Sequence, residues 1–187
     1  MDIKKYKAIV FKQMCEVELM HFDKADSARL KKLFEAWRNL TIGMKEFRSR
    51  GVNIPEGLSE VAFCIFSGSS RLISLKGPAS SSFDTFNLRT GRAEQIKACS
   101  VEGDLTSFGP KSKWDDLYFV DFYNNGLIDG AFDVYQIKNK MLDYVSMNKE
   151  QKFAEQQLEK RRPRFSIKKE IIKRYNIKPM AKNVKLW

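Results

Sequence analysis

An acid, an amide and a lysine lie close together in residues 83–97, which read FDTFNLRTGRAEQIK. Two strand-like runs, residues 83–88 and 93–101, flank the turn-forming residues 89–92. This pattern predicts a β-hairpin with Asp84 on its first strand and with Gln95 and Lys97 on its second. Because Gln95 and Lys97 are two residues apart, their side chains point to the same face of that strand.

The cluster suits a divalent cation and a nucleophile derived from water. Asp84 and an oxygen opposite it can hold a hard cation such as Mg²⁺, which prefers oxygen ligands and keeps several waters. Lys97 can orient a water molecule and stabilise the charge that develops on a phosphate under attack. The same residues also fit a surface hairpin whose polar face simply meets water, because an acid followed by Gln-x-Lys is a short pattern.

The overall charge favours a polyanionic partner. The chain has 187 residues, a formal net charge of +11 and a pI of about 9.6. Residues 138–187 contain 15 Lys and Arg against 5 Asp and Glu, so most of the excess lies in the last quarter. Aromatic and aliphatic residues are interleaved there, which favours a folded basic segment over a solvated tail. We expect one domain spanning residues 1–187, with a basic DNA-binding segment at about 148–187.

Several classes of protein are excluded by composition. No apolar run approaches the ~20 residues that a membrane-spanning helix needs, and the N-terminus lacks the pattern of a signal peptide. Cys15, Cys64 and Cys99 are scattered, which indicates reduced packing residues of a cytoplasmic protein rather than a zinc site. His21 is the single histidine, so a Ser-His-Asp triad and nuclease mechanisms that use two histidines are excluded.

The first half of the chain predicts two helices before the hairpin. Residues 5–22 fit either a strand or a helix. Residues 23–41 predict a helix with Asp23 or Asp26 at its start, and Gly43 offers a stop. Pro55 suits the entrance of a second helix at about 57–66, and residues 72–75 predict a short strand within a loop.

The second half predicts strands and then a basic helical segment. A polar loop at 102–114 precedes a strand at 116–123, a turn at Asn124-Asn125-Gly126 and a strand at 132–137. Residues 148–160 predict a short polar helix, and Ser166 can cap a final helix that continues to Tyr175. We expect the tail, residues 178–187, to be partly disordered.

The spacing from Asp84 to Gln95 and Lys97 resembles the catalytic core of the PD-(D/E)XK nucleases, in the variant that has glutamine in place of the second acid. Five longer runs, in the same order over residues 48–167, resemble small type II restriction endonucleases that cut GCNGC. These runs are GVNIPEGLSE (51–60), SSFDTFN (81–87), QIKACS (95–100), DLTSFGPKSKWDDLYFVDFY (104–123) and RRPRFSI (161–167). The chain departs from the superfamily pattern at Phe83, which stands where a proline precedes the catalytic aspartate.

The resemblance implies a fold and a set of roles. The fold is α/β of the restriction-endonuclease type, with a central mixed β-sheet flanked by helices. Asp84, Gln95 and the carbonyl of Ile96 would bind Mg²⁺, Lys97 would help to generate hydroxide, and Glu60 would approach the metal cluster from its helix. The resemblance also implies a cognate DNA methyltransferase that protects the host genome.

Basic side chains that could contact DNA lie in two places. Arg161, Arg162 and Arg164 carry guanidinium forks that pair bidentately with guanine or with phosphate. Lys111 and Lys113, in the 102–114 loop, are the second choice.

Acidic residues near that loop offer an alternative metal site. These residues are Asp104, Asp115 and Asp116.

We therefore predict a Mg²⁺-dependent endonuclease that acts as a homodimer on double-stranded DNA. The dimer is expected because a two-fold palindrome presents the same half-site to each of two identical subunits. Two alternatives remain at this point. One is a non-catalytic basic module that binds nucleic acid by phosphate contacts, and the other is a repair or RNA-processing nuclease on the same fold.

Overall fold

The computed structural model describes residues 1–49, 52–79, 81–123 and 127–187. The predicted turn at Asn124-Asn125-Gly126 lies outside the described residues. The strands are β1 Asp2–Val10, β2 Gln13–His21, β3 Ser70–Lys76, β4 Thr85–Asn87, β5 Arg92–Cys99, β6 Thr106–Ser107, β7 Asp116–Asp121, β8 Phe132–Ile137, β9 Arg164–Phe165 and β10 Ala181–Val184. The α-helices are α1 Asp26–Glu46, α2 Glu56–Ser67 and α3 Phe153–Leu158. A 3₁₀-helix at Asn139–Tyr144 and a π-helix at Lys168–Lys173 complete the described elements.

A mixed, mostly antiparallel sheet forms the centre of the molecule. Its strand order is β1-β2-β3-β4-β5-β7-β8-β10. Among the described strands of this sheet, β5 and β7 pair in parallel and the other neighbours are antiparallel. The predicted α/β architecture with a central mixed sheet is confirmed, and it is compatible with a restriction-endonuclease-like fold.

Helical segments cover both faces of the sheet, because the buried strand β7 is apolar on both sides. Tyr118 and Val120 pack with α1 and α2, whereas Leu117 and Phe119 pack with the C-terminal helical segments. A third apolar cluster fills the β1–β3 end of the sheet. Cys15, Cys64 and Cys99 are all buried free thiols within these clusters or beside them. No helix in the described ranges is long and apolar enough to cross a membrane.

The N-terminal segment forms a hairpin, which settles the choice between strand and helix. Its inner face contributes Val17 and Leu19, both fully buried, and its outer face is largely exposed. The turn is made by Phe11 and Lys12, whose φ angles of 49° and 68° match the left-handed conformation of tight hairpin turns.

Three sequence predictions are wrong in their bounds. Helix α1 continues through Gly43 to Glu46, since one glycine in a helix interior weakens the helix by only about 1 kcal/mol. The predicted helix at 148–160 is restricted to Phe153–Leu158, because Asn148 Oδ1 accepts hydrogen bonds from the backbone N–H groups of Glu150 and Gln151 and bends the chain beforehand. The predicted final helix to Tyr175 is the shorter Lys168–Lys173, with Ser166 Oγ accepting from the Lys169 N–H as expected of a cap.

The expected disorder of residues 178–187 is also wrong. Residues Ala181–Val184 form β10, which pairs with β8 at the edge of the sheet. Trp187 packs its ring 5.5 Å from that of Phe34 on α1, so the tail buries apolar surface that would otherwise be exposed.

Candidate active site

The predicted hairpin is present and brings the acid, amide and lysine together. Strands β4 and β5 pair from Asn87↔Arg92 to Thr85↔Glu94, and Gly91 adopts a φ of 68° in the turn. Asp84 lies immediately before β4, where regular pairing stops. Strand β5 continues to Cys99, so its edge beyond Glu94 is open on the β4 side.

Asp84 is fixed against this open edge by its own carboxylate. Its Oδ2 accepts a hydrogen bond from the Ile96 backbone N–H at 2.7 Å and a short one from Gln95 Nε2. Burial raises the pKa of Asp84, while the nearby positive charge of Lys97 and the Ile96 N–H oppose that shift. Oδ1 of Asp84 has no hydrogen-bond partner among the described residues. Every buried side-chain oxygen in those residues has a partner, so Oδ1 is exposed to solvent.

The carbonyl of Ile96 faces the same open edge. In a strand the N–H and C=O groups of one residue point to the same side, and the Ile96 N–H points to Asp84. The neighbouring carbonyls agree with this alternation, because the Glu94 carbonyl accepts from the Asp84 N–H and the Cys99 carbonyl accepts from Phe122 beside β7. Ile96 therefore adds a backbone oxygen next to the Asp84 carboxylate.

Glu60 approaches the same place from helix α2. The helix begins after Pro55, whose ψ of 141° is extended, and it packs against β5. Glu60 is 7% exposed, and its Oε2 accepts a hydrogen bond from Arg71 Nε at 2.5 Å. Burial raises the pKa of Glu60 to about 7, the Arg71 guanidinium opposes this, and the Asp84 charge adds to it.

Lys97 completes the group from the half-buried part of β5. Its Nζ lies 5.5 Å from the centroid of the Phe108 ring. Glu60, Asp84, Ile96 and Lys97 all line one polar cleft of about 240 Å³. Gln95, 4% exposed, lies behind Asp84 and reaches the cleft only through the Asp84 carboxylate. A larger cavity of about 480 Å³ between α1 and α2 is mostly apolar and contains none of these residues.

Oxygen donors at this site fit a small hard cation. The described residues contain no group of three or more His, Cys, Asp or Glu side chains able to hold a metal ion. A cation here would instead use Asp84 Oδ1 and the Ile96 carbonyl. The amide of Gln95 donates its Nε2 to Asp84 Oδ2 and would have to reorient before its oxygen could join them. Mg²⁺ is typically coordinated by a few protein oxygens and several water molecules.

The three aspartates of the alternative metal site are engaged in hydrogen bonds or salt bridges with other groups. Asp104 lines the cleft, but its carboxylate accepts from the Ile167 N–H at 2.9 Å and from the hydroxyls of Ser166 and Thr106. Asp115 accepts from the Ala93 N–H at 2.9 Å, and Asp116 forms a salt bridge with Arg92. These contacts join strands and loops to one another.

The five basic candidates differ in how they are held. Arg164 is exposed on β9, directly opposite Ser107, which lines the cleft. Arg162 is also exposed, whereas Arg161 pairs with Glu159 at 3.1 Å. Lys113 lies over the Phe11 ring, with its Nζ 4.7 Å from the ring centroid, and Lys111 is exposed in the same loop.

Sequence reasoning did not find the elements that support the site. The loop at 102–114 contains β6, which pairs with β9 from the basic segment to form a short two-stranded ribbon. Arg71 and Phe108, which hold Glu60 and Lys97, were also missed. Each partner lies eleven residues further along the chain in a separate element, and a lone arginine in a strand or a lone phenylalanine in a loop gives no signal of such a contact.

Comparison with known proteins decides the family. The model of the Bsp6I restriction endonuclease family matches residues 22–174. The type II restriction enzyme Bsp6I of Bacillus sp. (strain RFL6) is 32% identical over 170 residues, which are 88% of this chain and 92% of the relative. The chain belongs to the Bsp6I restriction endonuclease family. No solved structure matches the chain.

Membership of the Bsp6I family assigns the chain as a type II restriction enzyme, a site-specific deoxyribonuclease that acts on double-stranded DNA. The sequence-based prediction of an endonuclease is therefore confirmed in its class. Type II enzymes generally use divalent metal ions, in agreement with the oxygen donors beside Asp84. The match includes both the hairpin and β9, so the whole candidate site lies within the family's extent.

Proposed function

We propose that this enzyme hydrolyses DNA at GCNGC with Mg²⁺, by chemistry of the PD-(D/E)XK type. The supporting observation is that one open strand edge carries the Asp84 carboxylate, the Ile96 backbone and Lys97, with Glu60 across the same cleft. Asp84, Gln95 and Ile96 would hold the ion. When bound, Mg²⁺ supplies Lewis-acid chemistry that offsets the negative charge gathering on the phosphate in the transition state.

The side chains of the chain itself perform the rest of the reaction. Lys97 orients the attacking water and stabilises charge on the phosphate oxygens, since its ammonium lies at the cleft near Asp84. Glu60, whose pKa burial raises to about 7, can hold a proton at its carboxylate near neutral pH. Water attacks the phosphorus directly, so no covalent enzyme intermediate is needed.

DNA would be held by basic residues of the 102–114 loop and of the segment around β9. We assign this role to Lys111, Lys113, Arg161, Arg162 and Arg164. The exposed Arg164 is the best base reader, because guanine presents two major-groove acceptors that suit a guanidinium fork. Arg161, already paired with Glu159, fits phosphate anchoring better.

A short two-fold palindrome favours two copies of the enzyme. Each subunit would read one half-site and cut one strand, so we propose a homodimer. Residues 1–187 would act as one domain whose basic segment, about 148–187, contacts DNA. A cognate DNA methyltransferase would protect the host sites. We place the enzyme in the cytoplasm, where free thiols and the DNA substrate are expected together.

A plasmid digest tests the proposal. Purified enzyme should give discrete fragments with Mg²⁺ and none with EDTA, and sequencing of the fragment ends should return GCNGC. Lys97→Ala should not cut, whereas Lys45→Ala, an exposed lysine at the end of α1, should cut at the normal rate. Fragment ends that share no two-fold motif would refute the proposed site. Equal cutting in the presence of EDTA would refute the proposed requirement for a metal ion.

A further inference from the structure

The ammonium of Lys97 lies over an aromatic ring, in addition to its attraction to the nearby charge of Asp84. Within the described ranges Lys97 forms no salt bridge and no hydrogen bond, and its contact is with the face of Phe108 at 5.5 Å from the centroid. A cation within about 6 Å of a ring centroid is attracted by the negative face of the ring. This attraction orients the lysine and leaves its three N–H donors available to substrate.

The Phe108 ring is itself fixed on several sides. It is fully buried and stacks on Phe165 at 5.4 Å and 12° between planes. Phe153 packs edge-on against it at 5.2 Å, and Trp114 lies 5.7 Å away. The ring therefore has one well-defined position, which a flexible lysine side chain can use as a support.

Backbone contacts tie this ring to the basic segment. The Phe108 N–H donates to the Pro163 carbonyl at 3.1 Å, and β6 pairs with β9 through Thr106↔Phe165. Asp104 then accepts from the Ile167 N–H at 2.9 Å, so the segment is fastened on both sides of Phe165. Phe108 thus belongs to the same ribbon that exposes Arg164 beside the cleft.

We propose that Phe108 is a positioning residue for the cleavage reaction, with its ring holding the Lys97 ammonium at the cleft. This inference rests on the catalytic role proposed for Lys97. It also explains why the ribbon of β6 and β9 is part of the active site: the ribbon carries both an exposed arginine and the support for the lysine.

Fluorinated phenylalanines test the ring's electrostatics without changing its shape. Enzymes with one, two or three fluorines on residue 108 should cleave DNA progressively more slowly in single-turnover assays, with a total loss of roughly tenfold. DNA binding measured in EDTA should stay unchanged. The same series at Phe122, buried on the opposite face of the sheet, should have no effect on rate.

The Lys97→Met enzyme, assayed in the same experiment, separates the positioning role of Phe108 from the catalytic role of Lys97. A flat fluorine series at residue 108 with an inactive Lys97→Met enzyme would overturn the role of Phe108 and leave the proposed function intact. A Lys97→Met enzyme that cuts at the normal rate would overturn the catalytic role of Lys97 and the inference with it. A graded series with an inactive Lys97→Met enzyme supports both.

Discussion

Glu60→Gln should stabilise the folded protein in a way that depends on pH. Burial raises the pKa of Glu60 from 4.5 to about 7, so the folded state binds this proton more tightly than the unfolded state does. Below pH 4.5 both states keep the proton and the carboxyl costs nothing. As the pH rises toward 7 the ionised form becomes a growing penalty, which then remains constant. The gap between the two pKa values corresponds to about 3 kcal/mol.

Glutamine is a neutral replacement of the same shape and escapes this penalty. We expect Glu60→Gln to be more stable than the parent by about 3 kcal/mol near pH 8.5, and by less than about 0.5 kcal/mol near pH 4.5. For a chain of this length the gain corresponds to a rise in Tm of roughly 6–12 °C. Arg71 is about one-third exposed, so water can hydrate the guanidinium that loses its partner.

Urea unfolding in EDTA at the two pH values measures this difference without interference from a metal ion. Glu56→Gln is the matched control, because Glu56 lies on the exposed first turn of the same helix and should change stability by less than about 1 kcal/mol at either pH. Glu60→Gln should also cut DNA at least about tenfold more slowly. An equal stability difference at both pH values would refute the reasoning.

Four further outcomes follow from the site. Lys97→Ala should abolish cleavage and leave DNA binding in EDTA largely intact, and equal loss of both in a binding assay would contradict its role in the chemistry. Asp84→Ala should remove metal-dependent cleavage. Gln95→Glu should keep part of the activity, since a carboxylate is the commoner metal ligand. An inactive Gln95→Glu enzyme together with an active Asp84→Ala enzyme would point to another metal site. The affinity for DNA should fall steeply with salt, with a log–log slope of roughly −5 if six phosphates are contacted; a flat salt response would remove the electrostatic argument. Arg164→Ala should cost about 1–3 kcal/mol on the cognate site and relax preference at one base pair, whereas Arg161→Ala should weaken all sequences alike; uniform weakening by Arg164→Ala would make it a phosphate anchor.

The parts of the fold predicted from sequence are those that local signals encode. The β4–β5 hairpin has a glycine at the turn position with φ of 68°, and β8 is rich in β-branched and aromatic residues. The first hairpin was ambiguous because Phe11 and Lys12 form its turn without glycine or asparagine. Tertiary packing of the strands stabilises that turn, and such packing leaves no local pattern.

The parts that were missed depend on contacts between distant residues. Strands β6 and β9 have two residues each, which is too short for any periodicity in the sequence. They also pair across nearly sixty residues of chain. Strand β10 was read as a disordered tail because its lysine and asparagine are polar, yet its pairing with β8 satisfies the backbone. The closeness of Asp84, Gln95 and Lys97 was predicted correctly because fourteen residues of one hairpin contain all three.

Burial of all three native thiols has a practical consequence for following this enzyme in action. Burial raises the pKa of Cys64 and Cys99, which keeps them as unreactive thiols at neutral pH. A cysteine introduced at the exposed Arg162 would therefore be the preferred target of a maleimide dye under native conditions. Fluorescence from that dye would report the arrival of DNA at the ribbon in real time, with no need to remove the native cysteines first.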